Sequence, residues 1–113
     1  MRRESREKGA FVLAVNLQFA HETDRDLFMQ KWHRLANYVA EFEPDTLSFE
    51  CCIADTNPVL CLVFERYRNK SMYLKHRESA EFKSFKQWID SGTLSRKPEI
   101  TGQSYIETNQ GFM

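Results

Sequence analysis

The sequence has few of the residues that define small secreted or metal-binding proteins. Its 113 residues include only three cysteines, four glycines and three prolines. An odd, low number of cysteines does not supply the disulfide framework of a small secreted domain. No CxxC or His-Cys spacing indicates a zinc site, and no glycine-rich motif indicates a phosphate-binding loop. We expect the cysteines to be reduced and mostly buried, with a Cys51–Cys61 redox bridge as the alternative.

The chain also lacks a surplus of either charge and a long apolar run. Sixteen basic residues balance sixteen acidic ones. This balance argues against a nucleic-acid partner, since such binders normally carry a basic surplus. No stretch approaches the roughly 20 apolar residues of a membrane span, so we expect no membrane partner. Residues 1–9, MRRESREKG, have no apolar segment behind them and do not fit a secretory signal. We predict a disordered arm on a cytoplasmic protein.

The strongest pattern in the chain is a β-hairpin. Residues 46–54 and 59–67 are rich in β-branched, aromatic and cysteine residues, and Asp55-Thr56-Asn57-Pro58 separates them. Asp and Asn close local turns, and Pro has no N–H to donate to a ladder. A turn centred on Thr56 predicts that Cys51 faces Cys61, Phe49 faces Val63 and Ile53 faces Val59.

The remaining segments complete an α+β pattern. Residues 10–20 alternate as a strand, and residues 24–42 form a helix that Thr23 or Asp24 caps. A short helix at 72–76 and a second helix opened by Ser79 follow the hairpin, and 100–108 is a last strand. The order β-α-β-β-α-β is that of the ferredoxin-like fold, an antiparallel sheet with its helices on one face. We predict one domain over 10–108 and a tail over 109–113.

Both faces of the predicted sheet are apolar, although the helices cover only one. A contiguous apolar patch in water is unusual for a monomer, so a second copy of the chain is the simplest cover. The open face is predicted to carry Ala14, Asn16, Gln18, Ser48, Glu50, Leu60, Leu62, Phe64 and Arg66.

Three segments in this order are similar to those of the antibiotic biosynthesis monooxygenase family. They are EFEPDTLSFE, LVFERYRNKSMYLKH and AEFKSF, and the similarity extends over about 11–108. The resemblance implies a homodimer whose two sheets close into an α/β barrel. It also implies oxidation of polycyclic phenols or quinols by O2 without a bound metal or flavin. Relatives in the same fold degrade haem, process small signalling metabolites or have no assigned activity.

The resemblance and the strand alternation together indicate a pocket. Asn16 is similar to a pocket Asn of the family and His76 to a His near the pocket, so both are predicted to be catalytic. If their roles are structural instead, Asn16 would bond a neighbouring side chain inside the dimer, and His76 at the helix end would interact favourably with the helix dipole. The substrate-binding residues would be Ala14, Gln18, Glu50, Leu60, Leu62, Phe64 and Arg66. Glu50 and Arg66 are expected to form structural ion pairs, either with each other or across the dimer.

Two positions depart from the family pattern. Glu81 stands where many relatives carry a second His, which weakens the transfer of a proton-relay scheme. For the haem-degrading branch, the expected Trp and His positions are occupied by His76 and Lys86, so we expect no haem.

The resulting prediction is a cofactor-independent monooxygenase. It would act as a homodimer on a quinol-like or polyphenolic molecule and O2, with no metal, flavin or haem. The alternative is a non-catalytic ligand-binding or stress-associated dimer on the same barrel. A third possibility, an isomerase or degrader of a small polar metabolite, would need a more polar cavity than Leu60, Leu62 and Phe64 provide.

Overall fold

A computed structural model describes residues 9–111, which form four strands and three helices. The predicted arm lies outside the described residues except for Gly9, as do residues 112–113 of the predicted tail. The elements are β1 (Phe11–Gln18), α1 (Glu22–Phe42), β2 (Thr46–Ile53), β3 (Leu60–Tyr67), α2 (Lys70–Arg77), α3 (Ala80–Asp90) and β4 (Glu99–Ile106). The antiparallel sheet has the order β2-β3-β1-β4. These elements confirm the predicted ferredoxin-like fold.

The hairpin has the predicted faces but not the predicted register. Cys51 pairs with Val63 and Ile53 pairs with Cys61, two residues away from the expected partners. The turn closes through bonds from the Leu60 N–H to the Asn57 carbonyl and from the Asn57 N–H to the Ala54 carbonyl. The loop is therefore centred one residue later than predicted. Because side chains alternate with a period of two, this shift leaves each side chain on its expected face.

The start of α1 differs from the prediction. Its N-cap is His21, whose side chain makes no capping bond. Asp24 lies inside the helix, and its carboxylate accepts bonds from the Ser95 backbone N–H at 3.1 Å and from the Ser95 hydroxyl. The predicted cap at Thr23 or Asp24 is wrong because Asp24 ties α1 to the loop before β4. Asn69 caps α2 by accepting a bond from the Met72 N–H. The predicted start of the next helix at Ser79 is confirmed, since its side chain accepts a bond from the Phe82 N–H.

The core lies between the sheet and the helices. A buried stripe at helical spacing runs along α1 and consists of Phe28, Trp32, Leu35 and Val39. Phe42, which continues the stripe in sequence, is instead 61% exposed at the helix end. Trp32 stacks on Phe49 of β2 with ring centroids 4.2 Å apart. This stack fixes α1 over the hairpin.

The opposite face of the sheet is not covered by the described part of the chain. Leu62 and Tyr105 are 36% and 53% exposed. On the edge strand β4, every residue is exposed. Gly102 allows β4 to approach β1 closely, because a Cβ at this position would lie 3.1 Å from Val15 Cγ2. The single chain forms an open sheet and not a closed barrel.

Candidate active site

The structure places the two predicted catalytic residues on opposite faces of the sheet. Asn16 pairs with Leu62 and Thr101 and is exposed on the open face. His76 is buried on the helix side, where its ring contacts Phe49 and the other rings of that layer. The structure therefore does not bring Asn16 and His76 to one ligand within a single chain.

The predicted substrate-binding residues share the open face with Asn16. The strand register places Ala14, Gln18, Glu50, Leu60, Leu62, Phe64 and Arg66 there. The guanidinium of Arg66 binds the carboxylate of Glu107 through two bonds of 2.6 and 2.9 Å. Glu50 instead accepts a bond from the Cys51 backbone N–H. The expected Glu50–Arg66 ion pair is wrong within one chain, because the chain after β4 brings Glu107 to Arg66; pairing across the dimer stays a prediction.

His76 is held in the last turn of α2 by an acidic partner and a ring cage. Its Nδ1 lies 2.7 Å from Oε1 of Glu43, the residue that ends α1. Three rings surround the imidazole, those of Phe82, Phe49 and Tyr67, with centroids 5.0, 5.4 and 5.6 Å away. The imidazole is only 3% exposed. The sequence-based alternative, a helix-terminal His that serves the helix dipole, agrees with the place of His76 in the last turn of α2 but does not account for its burial and its hydrogen bond to Glu43.

The surroundings favour the neutral form of His76. Burial lowers the pKa of the imidazole below 6.5, and the hydrogen bond and charge of Glu43 oppose that shift. A carboxylate only accepts hydrogen bonds, so a neutral His76 donates its Nδ1–H to Glu43. The Nε2 atom then carries a lone pair. This is the arrangement that equips a histidine to accept a proton while a carboxylate stabilises the imidazolium.

Two further ionisable residues belong to the same buried layer. Burial raises the pKa of Glu65 to about 7; the hydrogen bond from the Tyr67 hydroxyl lowers it, and the charge of Glu43 raises it. Burial and the neighbouring carboxylates raise the pKa of Tyr67. Neither residue was predicted to belong to the site; the sequence pattern indicated only that Glu65 points to the other face and ties the sheet edge to a helix. The available signal was the alternation of β3, which puts both side chains on the face of Cys61 and Val63.

A hollow of about 310 Å³ lies beside the His76–Glu43 pair. It opens between the end of α1, the start of β2 and α2, and its volume suits a small organic ligand. The lining includes His76, Glu43, Tyr38, Phe42, Met72 and Ser79. Three further charged residues, Asp45, Lys75 and Glu78, also line it, so the site combines apolar surface with the His76–Glu43 pair and other charged groups.

The described residues offer no evident metal site. Within 9–111, no group of three or more His, Cys, Asp or Glu side chains is placed to hold a metal ion. No helix in this part of the chain is both long and apolar enough to cross a membrane.

Solved structures share the fold at low identity. A Bacteroides thetaiotaomicron protein of unknown function, described as a possible oxidoreductase, has a TM-score of 0.75 at 15% identity, with 88% of this chain and 99% of that chain covered. A candidate antibiotic biosynthesis monooxygenase from Caulobacter crescentus has a TM-score of 0.71 at 20% identity, covering 89% and 93%. Another from Nitrosomonas europaea has a TM-score of 0.76 at 13% identity, covering 95% and 98%. These identities support the fold alone.

The family assignment comes from sequence. No curated protein matches the chain. The sequence model of the antibiotic biosynthesis monooxygenase family matches residues 10–88, which is more than half of the chain and includes β1 to most of α3. The chain therefore belongs to the antibiotic biosynthesis monooxygenase family, and this membership supports a monooxygenase-like function in general terms.

Proposed function

We propose that the protein is a cofactor-independent monooxygenase acting on a quinol-like or polyphenolic small molecule. The observation that carries the proposal is the buried His76–Glu43 pair in the wall of the 310 Å³ hollow. A phenol needs two things from such a site: a base for its hydroxyl proton, and surroundings that exclude water while the ring meets O2. The pair supplies the first and the aromatic lining supplies the second.

The proton step follows from the tautomer of His76. The neutral imidazole takes the phenolic proton on Nε2, and Glu43 on Nδ1 stabilises the resulting imidazolium. The phenolate that remains is electron-rich. In the overall reaction, one oxygen atom replaces a ring hydrogen and gives a quinone. The second oxygen leaves as water with the C–H and O–H hydrogens, so the substrate itself supplies all four electrons.

The lining of the hollow fits a flat aromatic substrate. The rings of Tyr38 and Phe42 on α1 are tilted against each other with centroids 5.1 Å apart, and Met72 on α2 lines the same hollow. Aromatic side chains favour offset or edge contacts with other rings, and Met adapts to irregular ligands. Phe42, exposed at the helix end, is the residue whose apolar surface a ligand would cover.

We also propose that the working form is a homodimer joined through the open face. The described chain leaves Leu62 and Tyr105 exposed on this face of the sheet, at 36% and 53%. Interfaces of obligate dimers typically bury about 2,000 Å² or more in total. In this arrangement Asn16 and its neighbours meet the partner, and Asn16 keeps its proposed ligand role only if a substrate reaches that interface.

A cytoplasmic location completes the proposal. All three cysteines, Cys51, Cys52 and Cys61, are free. Free thiols are usual in a reducing compartment, while secreted small domains normally pair theirs.

The decisive experiment measures oxygen uptake with a panel of simple and fused-ring hydroquinones. The His76→Ala variant should lose about 10²- to 10⁴-fold in rate, the usual effect of removing a positioned acid–base group. His33→Ala is the matched control, since His33 is an exposed histidine on α1 bonded only to Asn37 among the described residues. Asn16→Ala distinguishes an active site at His76 from one at Asn16. A rate loss in Asn16→Ala alone would indicate that the site lies on the open face.

Quinols also oxidise unaided, so each rate is compared with a protein-free solution. Wild-type uptake no faster than that solution would overturn the enzyme proposal in favour of the ligand-binding alternative. Wild-type activity that His76→Ala retains in full would show that the reaction occurs elsewhere in the protein.

A further inference from the structure

Tyr67 is a buried phenol whose hydroxyl donates directly to a buried carboxyl group. Its side chain is 0% exposed, and the hydroxyl bonds Oε1 of Glu65, which is 7% exposed. The two residues are two positions apart on β3, so both side chains lie on the helix side of the sheet. The carboxylate of Glu65 is therefore positioned to receive the phenolic proton of Tyr67 without an intervening group.

The Tyr67 ring joins the candidate site to a less buried tyrosine. Its centroid lies 5.6 Å from that of His76, which lines the hollow. On its other side it makes an edge contact with Tyr73 of α2, with centroids 5.3 Å apart. Tyr73 is only partly buried, and the guanidinium of the exposed Arg77 lies 5.8 Å from its ring. Three rings in contact thus lead from the wall of the hollow toward the protein surface.

A buried tyrosine with a base on its hydroxyl is suited to one-electron oxidation. Loss of an electron alone would leave a positive charge in the protein interior, where charges are costly. If the proton of Tyr67 moves to the carboxylate of Glu65 at the same time, the products are a neutral tyrosyl radical and a neutral carboxylic acid. Burial raises the pKa of Glu65 to about 7, which makes its carboxylate a stronger base than that of an exposed glutamate.

We propose that Tyr67 and Glu65 form a redox site that carries oxidising equivalents from the hollow to Tyr73. Tyr67 gives one electron to an oxygen-centred radical, such as an organic peroxyl radical, which becomes a hydroperoxide anion. The hydroxyl proton of Tyr67 passes to Glu65. Tyr73 then gives one electron to the Tyr67 radical and its own proton to water, while Tyr67 recovers its proton from Glu65. Ascorbate in solution ends the sequence by giving the Tyr73 radical one electron and one proton.

The proposed role of this path is protection of the buried aromatic layer. The ring of His76 is in direct contact with Tyr67, so an oxidising equivalent that arises beside the imidazole reaches Tyr67 across one ring contact. It leaves through Tyr73 before it can damage His76. This role goes beyond the proposed oxidation of a quinol, because it needs only an oxidant and the ring contacts of the chain.

The test generates a one-electron oxidant in solution, without substrate, by illuminating ruthenium(II) tris(bipyridine) with a cobalt(III) ammine as the electron acceptor. Transient absorption and EPR then follow the tyrosyl radicals. Because Tyr67 is not exposed, the oxidant reaches it only through residues nearer the surface, and a long-lived tyrosyl radical should follow the short-lived surface radicals. Tyr67→Phe should lose the long-lived radical, and Tyr73→Phe should slow its formation. Tyr105→Phe, at an exposed tyrosine of β4, is the matched control and should retain it at the wild-type rate.

Glu65→Gln isolates the proton acceptor. The amide of Gln can accept a hydrogen bond from Tyr67 but does not act as a base in this pH range. The long-lived radical should therefore be lost although Tyr67 is still present. Glu50→Gln, at an exposed glutamate of the same hairpin, is the control and should leave the radical unchanged.

A long-lived radical that Tyr67→Phe or Glu65→Gln retains in full would overturn the proposal. Wild-type radicals that decay as fast as those of free tyrosine would do the same, and an unchanged rate of formation in Tyr73→Phe would overturn the path through Tyr73. If the variants do not fold, ENDOR of the wild-type radical after exchange into D2O decides the question, since a Tyr67 radical bonded to Glu65 must show one strongly coupled exchangeable proton. No turnover is needed, so failure of the monooxygenase proposal leaves each outcome interpretable.

Discussion

The two faces of the sheet are built from alternate residues of the same strands but hold different chemistry. On β3, Glu65 lies under the helices, where its pKa is raised to about 7, and its neighbour Arg66 lies on the other face in an ion pair with Glu107. The helix face contains rings, a buried histidine and two carboxyls, whereas the open face exposes Leu62 and Tyr105. Arg66 is as buried as Glu65, but it is paired with an opposite charge, whereas burial and the like charge of Glu43 raise the pKa of Glu65.

Two glutamates show the same effect of burial. Glu50 and Glu65 both lie in the β2–β3 hairpin, one on each face. Glu50 is exposed and bonds its own strand, while Glu65 is buried beside a second carboxyl group. Three experiments test this contrast.

The first compares one phenylalanine on each side of the sheet. Phe28→Ala should lower the free energy of unfolding by about 3–5 kcal/mol, because Phe28 is 1% exposed and its removal leaves a cavity. Phe64→Ala, on the open face and half-buried, should cost about 1 kcal/mol in the monomeric chain. Urea unfolding at protein concentrations below dimer formation measures both. Equal losses would mean that the open face is packed as tightly as the helix face.

The second uses pH. The folded state holds the Glu65 proton up to about pH 7, whereas the ordinary pKa is 4.5, so the folded state binds more protons between these values. Stability from Glu65 is therefore complete below about 4.5 and lost as pH rises through about 7, by an amount of order 3 kcal/mol. His76 acts oppositely, because its lowered pKa makes the folded state lose stability as pH falls below 6.5.

Glu65→Gln isolates the Glu65 contribution. The difference in unfolding free energy between wild type and this variant should decline from pH 4.5 to 8 in chemical denaturation series. Glu50→Gln, on the open face, controls for the loss of a surface carboxylate. A difference that stays constant with pH would place the Glu65 titration outside this window.

The third experiment tests dimer formation with a substitution that should have little effect on the fold. Leu62→Asp should change the free energy of unfolding of the monomer by only about 0.5 kcal/mol, because the side chain is already 36% exposed. It should nevertheless reduce the mass in light scattering from twice 13.4 kDa to 13.4 kDa at low micromolar concentration. Leu74→Asp, at an exposed leucine of α2, is the matched control and should remain dimeric. A dimeric Leu62→Asp protein would place the interface elsewhere.

The sequence was sufficient for the element order and for the face of each strand residue. Alternation and helical spacing are local properties, and they survived a two-residue error in the hairpin register. That error arose because the turn centre depends on backbone bonds between Ala54, Asn57 and Leu60 that composition does not specify.

The site was only partly predictable for the same reason. His76 was found through its place in the family pattern, but its partner Glu43 lies 33 residues away in sequence. Arg66 likewise finds Glu107 across 41 residues. Such pairs depend on how separate elements dock, and a single sequence carries no direct record of that. Asn16 was placed correctly on the open face. Its predicted action together with His76 depended only on the assumption that both residues line one pocket.

The Trp32–Phe49 stack also gives the protein an internal optical probe. Phe49 contacts both the Trp32 indole and the His76 ring, so one aromatic ring links an indole chromophore to the titrating histidine. The other tryptophan, Trp88, has the Lys31 ammonium over its ring, which gives it a different electrostatic environment. Emission from Trp32 is therefore expected to respond to changes in charge or packing around His76, while that from Trp88 reports on the cation above its ring.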